Sequence, residues 1–134
     1  MRTALAPLTF LALAACVTVY PPDEAPASSG VATAGFGQTA RVGPLRVTPL
    51  ALLEDSRCPA LVKCVWAGQV RITARVKSDR GERTVELVSN RPVAAGSGML
   101  VLENVGPPRA APGQMPPRSA YRFTFRYTAN IMPR

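Results

Sequence analysis

The chain has 134 residues, with 16 Lys and Arg against 8 Asp and Glu, a net charge of +8 and no histidine. This length accommodates one compact domain with tails. The lack of histidine excludes Ser-His-Asp and Cys-His catalysis and any histidine metal site. With 47% hydrophobic and 18% charged residues, the chain is too apolar to be disordered throughout.

The amino-terminal segment has the features of a bacterial export signal. Arg2 provides a short positive region, and residues 5–15 are apolar but too few to span a bilayer as a helix, which needs about 20 residues. The stretch ends in the letters LAAC, whose cysteine is Cys16, and this ending resembles the lipobox of bacterial lipoproteins. The alternative is an ordinary secretory signal in which Cys16 is incidental.

The lipobox resemblance implies cleavage before Cys16 and attachment of acyl chains such as palmitate to that residue. Two or three chains give stable membrane attachment, because each buried CH₂ contributes ~0.8 kcal/mol. Val17 follows the cysteine, and the absence of Asp there, by resemblance to Gram-negative lipoproteins, implies the outer membrane. The domain would then face the periplasm or the cell surface.

The segment after Cys16 is rich in Pro, Ala, Ser and Gly and has no apolar period. Such a composition cannot bury enough surface to offset its ordering entropy. We therefore predict a signal peptide over residues 1–15, a lipidated cysteine and flexible linker over 16–35, and a folded β-domain over 36–134.

Alternating polar and apolar residues predict an all-β domain. Residues 69–77 and 83–89 alternate on either side of turn residues, which predicts a β-hairpin. Residues 121–128 alternate four aromatic side chains with polar ones, which favours a strand with an aromatic core face over a stacking platform for ligands. Weaker strands are predicted over residues 36–41, 45–53 and 99–105.

Proline sets limits on these strands. Pro49 favours an edge or a bulge in its strand, and the proline-rich residues 106–118 predict an irregular surface loop. No segment after the signal peptide has a convincing helical pattern. About six or seven short strands predict a small antiparallel β-sandwich or a partly open barrel.

Cys58 and Cys64 are predicted to form a disulfide. If Cys16 is lipidated they are the remaining pair, and their bridge closes a small loop in an oxidising compartment, contributing ~2 kcal/mol. The alternative is a metal or redox pair. Metal binding lacks further ligands, since there is no histidine and no third free cysteine, and redox pairs more often have C-x-x-C spacing. No metal or cofactor is predicted.

Residues 55–68, DSRCPALVKCVWAG, form the most distinctive motif. The pattern D-S-R-C-P-x4-C-x-W-A-G resembles a group of small bacterial lipoproteins and exported proteins. The resemblance implies export and a shared small domain, with one strand before the motif and a second strand and proline-containing loop after it. It carries over no catalytic residue.

Two interpretations of the motif remain open. In the first, Trp66 covers the loop and closes one end of the core, while Gly68 permits a bend before the next strand. In the second, the loop presents Arg57, Lys63 and Trp66 to a partner, because Trp and Arg are favoured interface residues.

Basic residues provide a second candidate surface. Cations alternate along two predicted strands, and if those strands are neighbours they form a basic patch for anionic glycolipid or cell-wall polymer. The alternative is an ordinary solvated face. The residues are Arg71, Arg75 and Lys77 on one strand and Arg122 and Arg126 on the other.

These features predict a lipid-anchored envelope lipoprotein whose domain is a non-catalytic binding or accessory module for another envelope protein. An enzyme is not predicted, because no activated nucleophile or second carboxylate can be placed opposite Asp55 and Ser56. Nucleic acid is not an expected partner of an exported protein. The alternatives are a basic-face binder of anionic glycolipid or polymer, and an inhibitor of exported proteases.

Overall fold

A computed structural model describes residues 29–130, and the predicted signal peptide, Cys16 and the first part of the predicted linker lie outside this range. Residues 29–130 form eight β-strands and one short 3-10 turn, Arg118–Ala120. No helix in this range is long and apolar enough to cross a bilayer. The strands are β1 Ser29–Ala34, β2 Ala40–Val42, β3 Leu45–Asp55, β4 Val70–Ser78, β5 Gly81–Val88, β6 Val93–Ala95, β7 Gly98–Gly106 and β8 Arg122–Ala129.

The strands form two four-stranded antiparallel sheets that pack as a β-sandwich. One sheet has the order β1-β8-β7-β6 and the other β2-β3-β4-β5. In β4 the apolar residues of the alternating pattern point into the core, and their polar neighbours lie on the outer face. The predicted all-β sandwich is confirmed, with eight strands rather than six or seven.

The first strand corrects the predicted domain boundary. Residues 29–34, assigned to the flexible linker, form β1, which pairs with β8 along its whole length. Small residues allow this packing: a Cβ added to Gly30 would collide with the backbone nitrogen of Gly43, at the turn after β2. The small residues that resemble a linker in the sequence therefore form an edge strand that packs closely against the other sheet.

Two further expectations need adjustment. The strand predicted over residues 36–41 is only Ala40–Val42, because residues 35–39 form a turn in which the Gly37 amide donates to the Pro49 carbonyl at 2.8 Å. The short strand β6 was not predicted from the sequence. The bulge expected at Pro49 is confirmed by a register shift between Pro49 and Ala51.

Aromatic side chains dominate the core and close it at one end. The four aromatics of residues 121–127 are at most 2% exposed, which confirms their predicted core face. Phe36 packs edge-on against Tyr121 and Phe123, at centroid distances of 5.7 and 4.9 Å. The Arg118 guanidinium lies 4.0 Å from the Phe36 ring centroid and covers this cluster from outside.

The sandwich has two distinct ends. At the Ser29 end, the chain enters β1 beside the turns between β2 and β3, between β4 and β5, and between β6 and β7. At the loop end, β3 finishes at Asp55 and β4 begins at Val70, near the start of β8. Because β1 runs from the first end to the second, the amino-terminal segment and the long loop between β3 and β4 lie at opposite ends.

We predict that Gly30→Ala lowers the free energy of unfolding by about 1–3 kcal/mol, the usual cost of overpacking, because the new methyl group displaces the backbone at Gly43. Urea denaturation measures the change. Val31→Ala is the matched control on the same strand, since Val31 is 51% exposed, and it should cost less than 1 kcal/mol. Equal effects of the two substitutions would contradict the close packing of β1 on β2.

Candidate functional site

The segment between β3 and β4, residues 56–69, is closed by a disulfide and is called here the stapled loop. Cys58 and Cys64 are bonded, with their Cα atoms 5.8 Å apart. The predicted disulfide is confirmed. The bridge fixes the central part of the loop, and three sets of hydrogen bonds hold the rest, two at its base and one from the side.

The first set converges on the buried carboxylate of Asp55, the last residue of β3. The Arg57 guanidinium donates two hydrogen bonds of 2.8 Å to the two carboxylate oxygens, and the Tyr121 hydroxyl donates a third of 2.8 Å. A further guanidinium nitrogen of Arg57 donates to the Val105 carbonyl at 2.6 Å. Because Asp55 belongs to one sheet and Tyr121 and Val105 lie next to or within the other, this network ties the loop to both sheets.

The protonation behaviour of these groups follows from burial and pairing. Burial raises the pKa of the Asp55 carboxyl, but hydrogen bonds from Arg57 and Tyr121 and the charge of Arg57 outweigh it, so that the pKa is lowered. Burial, together with the hydrogen bond to Asp55 and its charge, raises the pKa of Tyr121 to about 12. Asp55 is therefore held as a carboxylate and Tyr121 as a phenol. Asp55 forms an ion pair with Arg57 and accepts a hydrogen bond from the Tyr121 hydroxyl.

The second set of bonds joins the two ends of the loop. The Ser56 hydroxyl accepts from the Gln69 amide at 3.0 Å and donates to the Gln69 carbonyl at 3.2 Å, while the Ser56 amide donates to that carbonyl at 2.9 Å. Gly68 adopts φ +69°, and a Cβ there would collide with the Ser56 carbonyl. The predicted bend at Gly68 is thus confirmed, and only glycine fits it.

The third set comes from the proline-rich loop between β7 and β8, which is irregular as predicted. One nitrogen of the Arg109 guanidinium donates to the Arg57 carbonyl at 3.0 Å, and the Arg109 carbonyl accepts from the Ala60 amide at 2.8 Å. The stapled loop is therefore braced from the side as well as from its base.

The tip of this braced loop exposes apolar side chains. Leu61 is 86% exposed, Val65 90% and Trp66 82%. The interpretation in which Trp66 closes one end of the core is therefore wrong. At that end of the core, Phe36 packs on Tyr121 and Phe123 instead.

The three loop residues proposed to face a partner have different roles. Lys63 and Trp66 are exposed, and no pairing of Lys63 occurs within residues 29–130. The side chain of Arg57 is only 19% exposed, and its guanidinium is occupied by Asp55 and Val105. Arg57 is therefore a structural residue. In the sequence, its position two residues after Asp55 indicated this ion pair.

The basic surface predicted from two strands is not one surface. Arg71 and Arg75 lie on β4 and Arg122 and Arg126 on β8, and these strands belong to different sheets with outer faces on opposite sides of the sandwich. Carboxylates also offset three of the four charges. Arg71 lies 3.4 Å from Glu54, Arg75 lies 3.3 Å from Glu82, and Arg126 lies 2.8 Å from Glu103.

Within residues 29–130, no group of three or more His, Cys, Asp or Glu side chains could hold a metal ion. Comparison of the chain with protein-family models, curated proteins and solved structures found no match. The geometry of the stapled loop and of the sheet faces is therefore the basis for assigning function.

We predict that Tyr121→Phe lowers the free energy of unfolding by about 1.5–3 kcal/mol at neutral pH, because Asp55 loses a charge-assisted hydrogen bond. A raised folded-state pKa contributes stability that is complete below the unfolded value of about 10 and is lost as the pH rises towards about 12. The difference between wild type and variant should therefore shrink over that window in urea denaturation.

Tyr127→Phe is the matched control, since its hydroxyl makes no hydrogen bond to a residue in the range 29–130 and its ring is equally buried. It should change stability by less than 1 kcal/mol. A Tyr121→Phe deficit that stays constant through pH 12 would contradict the assigned Asp55–Tyr121 bond.

Proposed function

We propose that this protein is a lipid-anchored bacterial envelope lipoprotein whose domain is a non-catalytic binding module, and that the stapled loop binds another envelope protein. The observation that carries the proposal is an exposed apolar tip on a rigid loop. Leu61, Val65 and Trp66 are each more than four-fifths exposed, although the base of the loop is fixed by a disulfide and a buried ion pair.

Rigidity supports a binding role because it reduces the entropy lost on association. A loop already held in one conformation does not have to be ordered by its partner. Trp is among the residues that contribute most to protein interfaces. The same loop also exposes Leu61 and Val65, and covering this apolar area gains free energy.

The topology supports a partner other than the membrane that holds the anchor. The chain enters the domain at the Ser29 end, and the stapled loop is at the other end. With acyl chains on Cys16, the loop would point away from that bilayer. The partner that fits has an apolar pocket for Trp66 and a carboxylate near it for Lys63.

The anchor itself is tested by Cys16→Ser. We expect wild-type protein to fractionate with membranes and to carry the mass of its acyl chains, and we expect the variant to lose both properties. Fractionation of cells followed by mass spectrometry of the intact protein measures this. Wild-type protein in the soluble fraction without added mass would contradict lipidation.

The binding role is tested by photo-crosslinking in living cells, with the crosslinking side chain placed at Leu61, which is 86% exposed on the loop tip. We expect one abundant envelope protein to be captured and identified by mass spectrometry. The double variant Val65→Ala/Trp66→Ala should reduce this capture at least tenfold, because it removes the apolar contact area.

The matched control is Val31→Ala/Leu53→Ala, which removes two exposed apolar side chains elsewhere in the sandwich. It should leave the capture unchanged. Equal loss with both double variants, or crosslinking to lipid in place of protein, would contradict a protein-binding loop.

A further inference from the structure

A row of like charges crosses the outer face of the sheet that contains β2 to β5. Arg46 on β3 is directly opposite Arg41 on β2 and directly opposite Lys77 on β4. All three side chains are exposed. The three residues are called here the basic row.

This arrangement is unfavourable for the isolated sheet. Side chains directly opposite each other on neighbouring strands have Cβ atoms about 4.5–5.5 Å apart, and like charges in such pairs destabilise the sheet. None of the three cations forms a salt bridge with a residue in the range 29–130. The next strand contributes Glu82, directly opposite Lys77, but its carboxylate lies 3.3 Å from Arg75.

Several other cations on the outer faces are paired with carboxylates. Arg71, on the same strand as Lys77, lies 3.4 Å from Glu54 and 3.5 Å from Glu86. On the second sheet, Arg126 is paired with Glu103. The basic row differs from these pairs because its three cations face one another across neighbouring strands, and a multivalent anion would relieve their repulsion.

The position of the row indicates which anion it meets. Arg41 and Arg46 flank the turn between β2 and β3, and Lys77 is next to the last residue of β4, so all three lie at the Ser29 end. The turn after β4 exposes Asp79 and Arg80 and so adds no net charge to this end. This is the end at which the amino-terminal segment enters the domain.

We propose that the basic row docks the domain on the anionic headgroups of the bilayer that holds its lipid anchor. The inference rests on the proposed lipidation of Cys16. The twelve residues 17–28 separate Cys16 from β1, and even a fully extended chain of this length spans at most ~45 Å. The row is thereby kept within reach of the surface, and its contact with phosphate groups orients the stapled loop outwards.

The test uses the whole mature chain from residue 16 with Cys16→Ser, so that acyl chains do not contribute to binding. Vesicles of phosphatidylcholine alone are compared with vesicles of equal parts phosphatidylcholine and phosphatidylglycerol, by flotation at low ionic strength. We expect binding only to the anionic vesicles, and a steep loss of binding as salt shortens the Debye length.

Arg41→Gln/Arg46→Gln/Lys77→Gln should weaken this binding roughly a hundredfold, since each cation near an anionic surface contributes about fivefold. Arg91→Gln/Arg122→Gln/Arg126→Gln is the matched control. It removes the same number of exposed charges from the loop end and the opposite sheet, and it should weaken binding only a few-fold.

Equal losses in the two triple variants would overturn the proposal, because net charge would then explain the binding. Equal binding to both kinds of vesicle would overturn it as well. Circular dichroism of each variant confirms the β-fold before binding is measured. The Cys16→Ser fractionation experiment tests the anchor separately, so failure of lipidation and failure of the basic row give different results.

Discussion

The buried carboxylate of Asp55 is the group on which the arrangement of the loop end depends. A charge out of contact with water is tolerated only when it is paired and hydrogen-bonded, and removal of one partner of a buried pair typically costs 3–5 kcal/mol. Arg57 and Tyr121 supply the partners, and Arg57 also reaches the Val105 carbonyl. The Asp55 charge therefore links the end of β3 to the stapled loop and to Tyr121 before β8, and Arg57 extends the network to β7.

The same constraint separates the two surfaces of functional interest. The loop is held at its base by Asp55 and by the Ser56–Gln69 bonds, and its apolar tip is exposed. The basic row lies at the other end of the same sheet. One sandwich thus presents an apolar surface at one end and a cationic surface at the other. The proposed partner binding and the proposed membrane docking would therefore use opposite ends of the domain.

The sequence predicted those features whose cause is local. Alternation identified β4, β5 and the aromatic face of β8, and cysteine spacing identified the disulfide. It missed β1, because the letters SGVATA contain little apolar bulk and gain their packing only from the approach of Gly30 to Gly43. It also left open whether Trp66 is buried or exposed. The packing at that end of the core, such as that of Phe36 on Tyr121, depends on contacts between segments distant in sequence.

The pairing of β1 with β8 joins the first strand of the domain to the last. During synthesis from the amino terminus, β1 is made first and β8 last. The sheet cannot be completed until β8 has been synthesised, so β1 has no partner strand until then. Such non-local pairing slows folding, because the loop-closure entropy must be met before the contacts form. If the chain is exported as proposed, slow completion of this sheet would help to keep it unfolded until it has crossed the membrane.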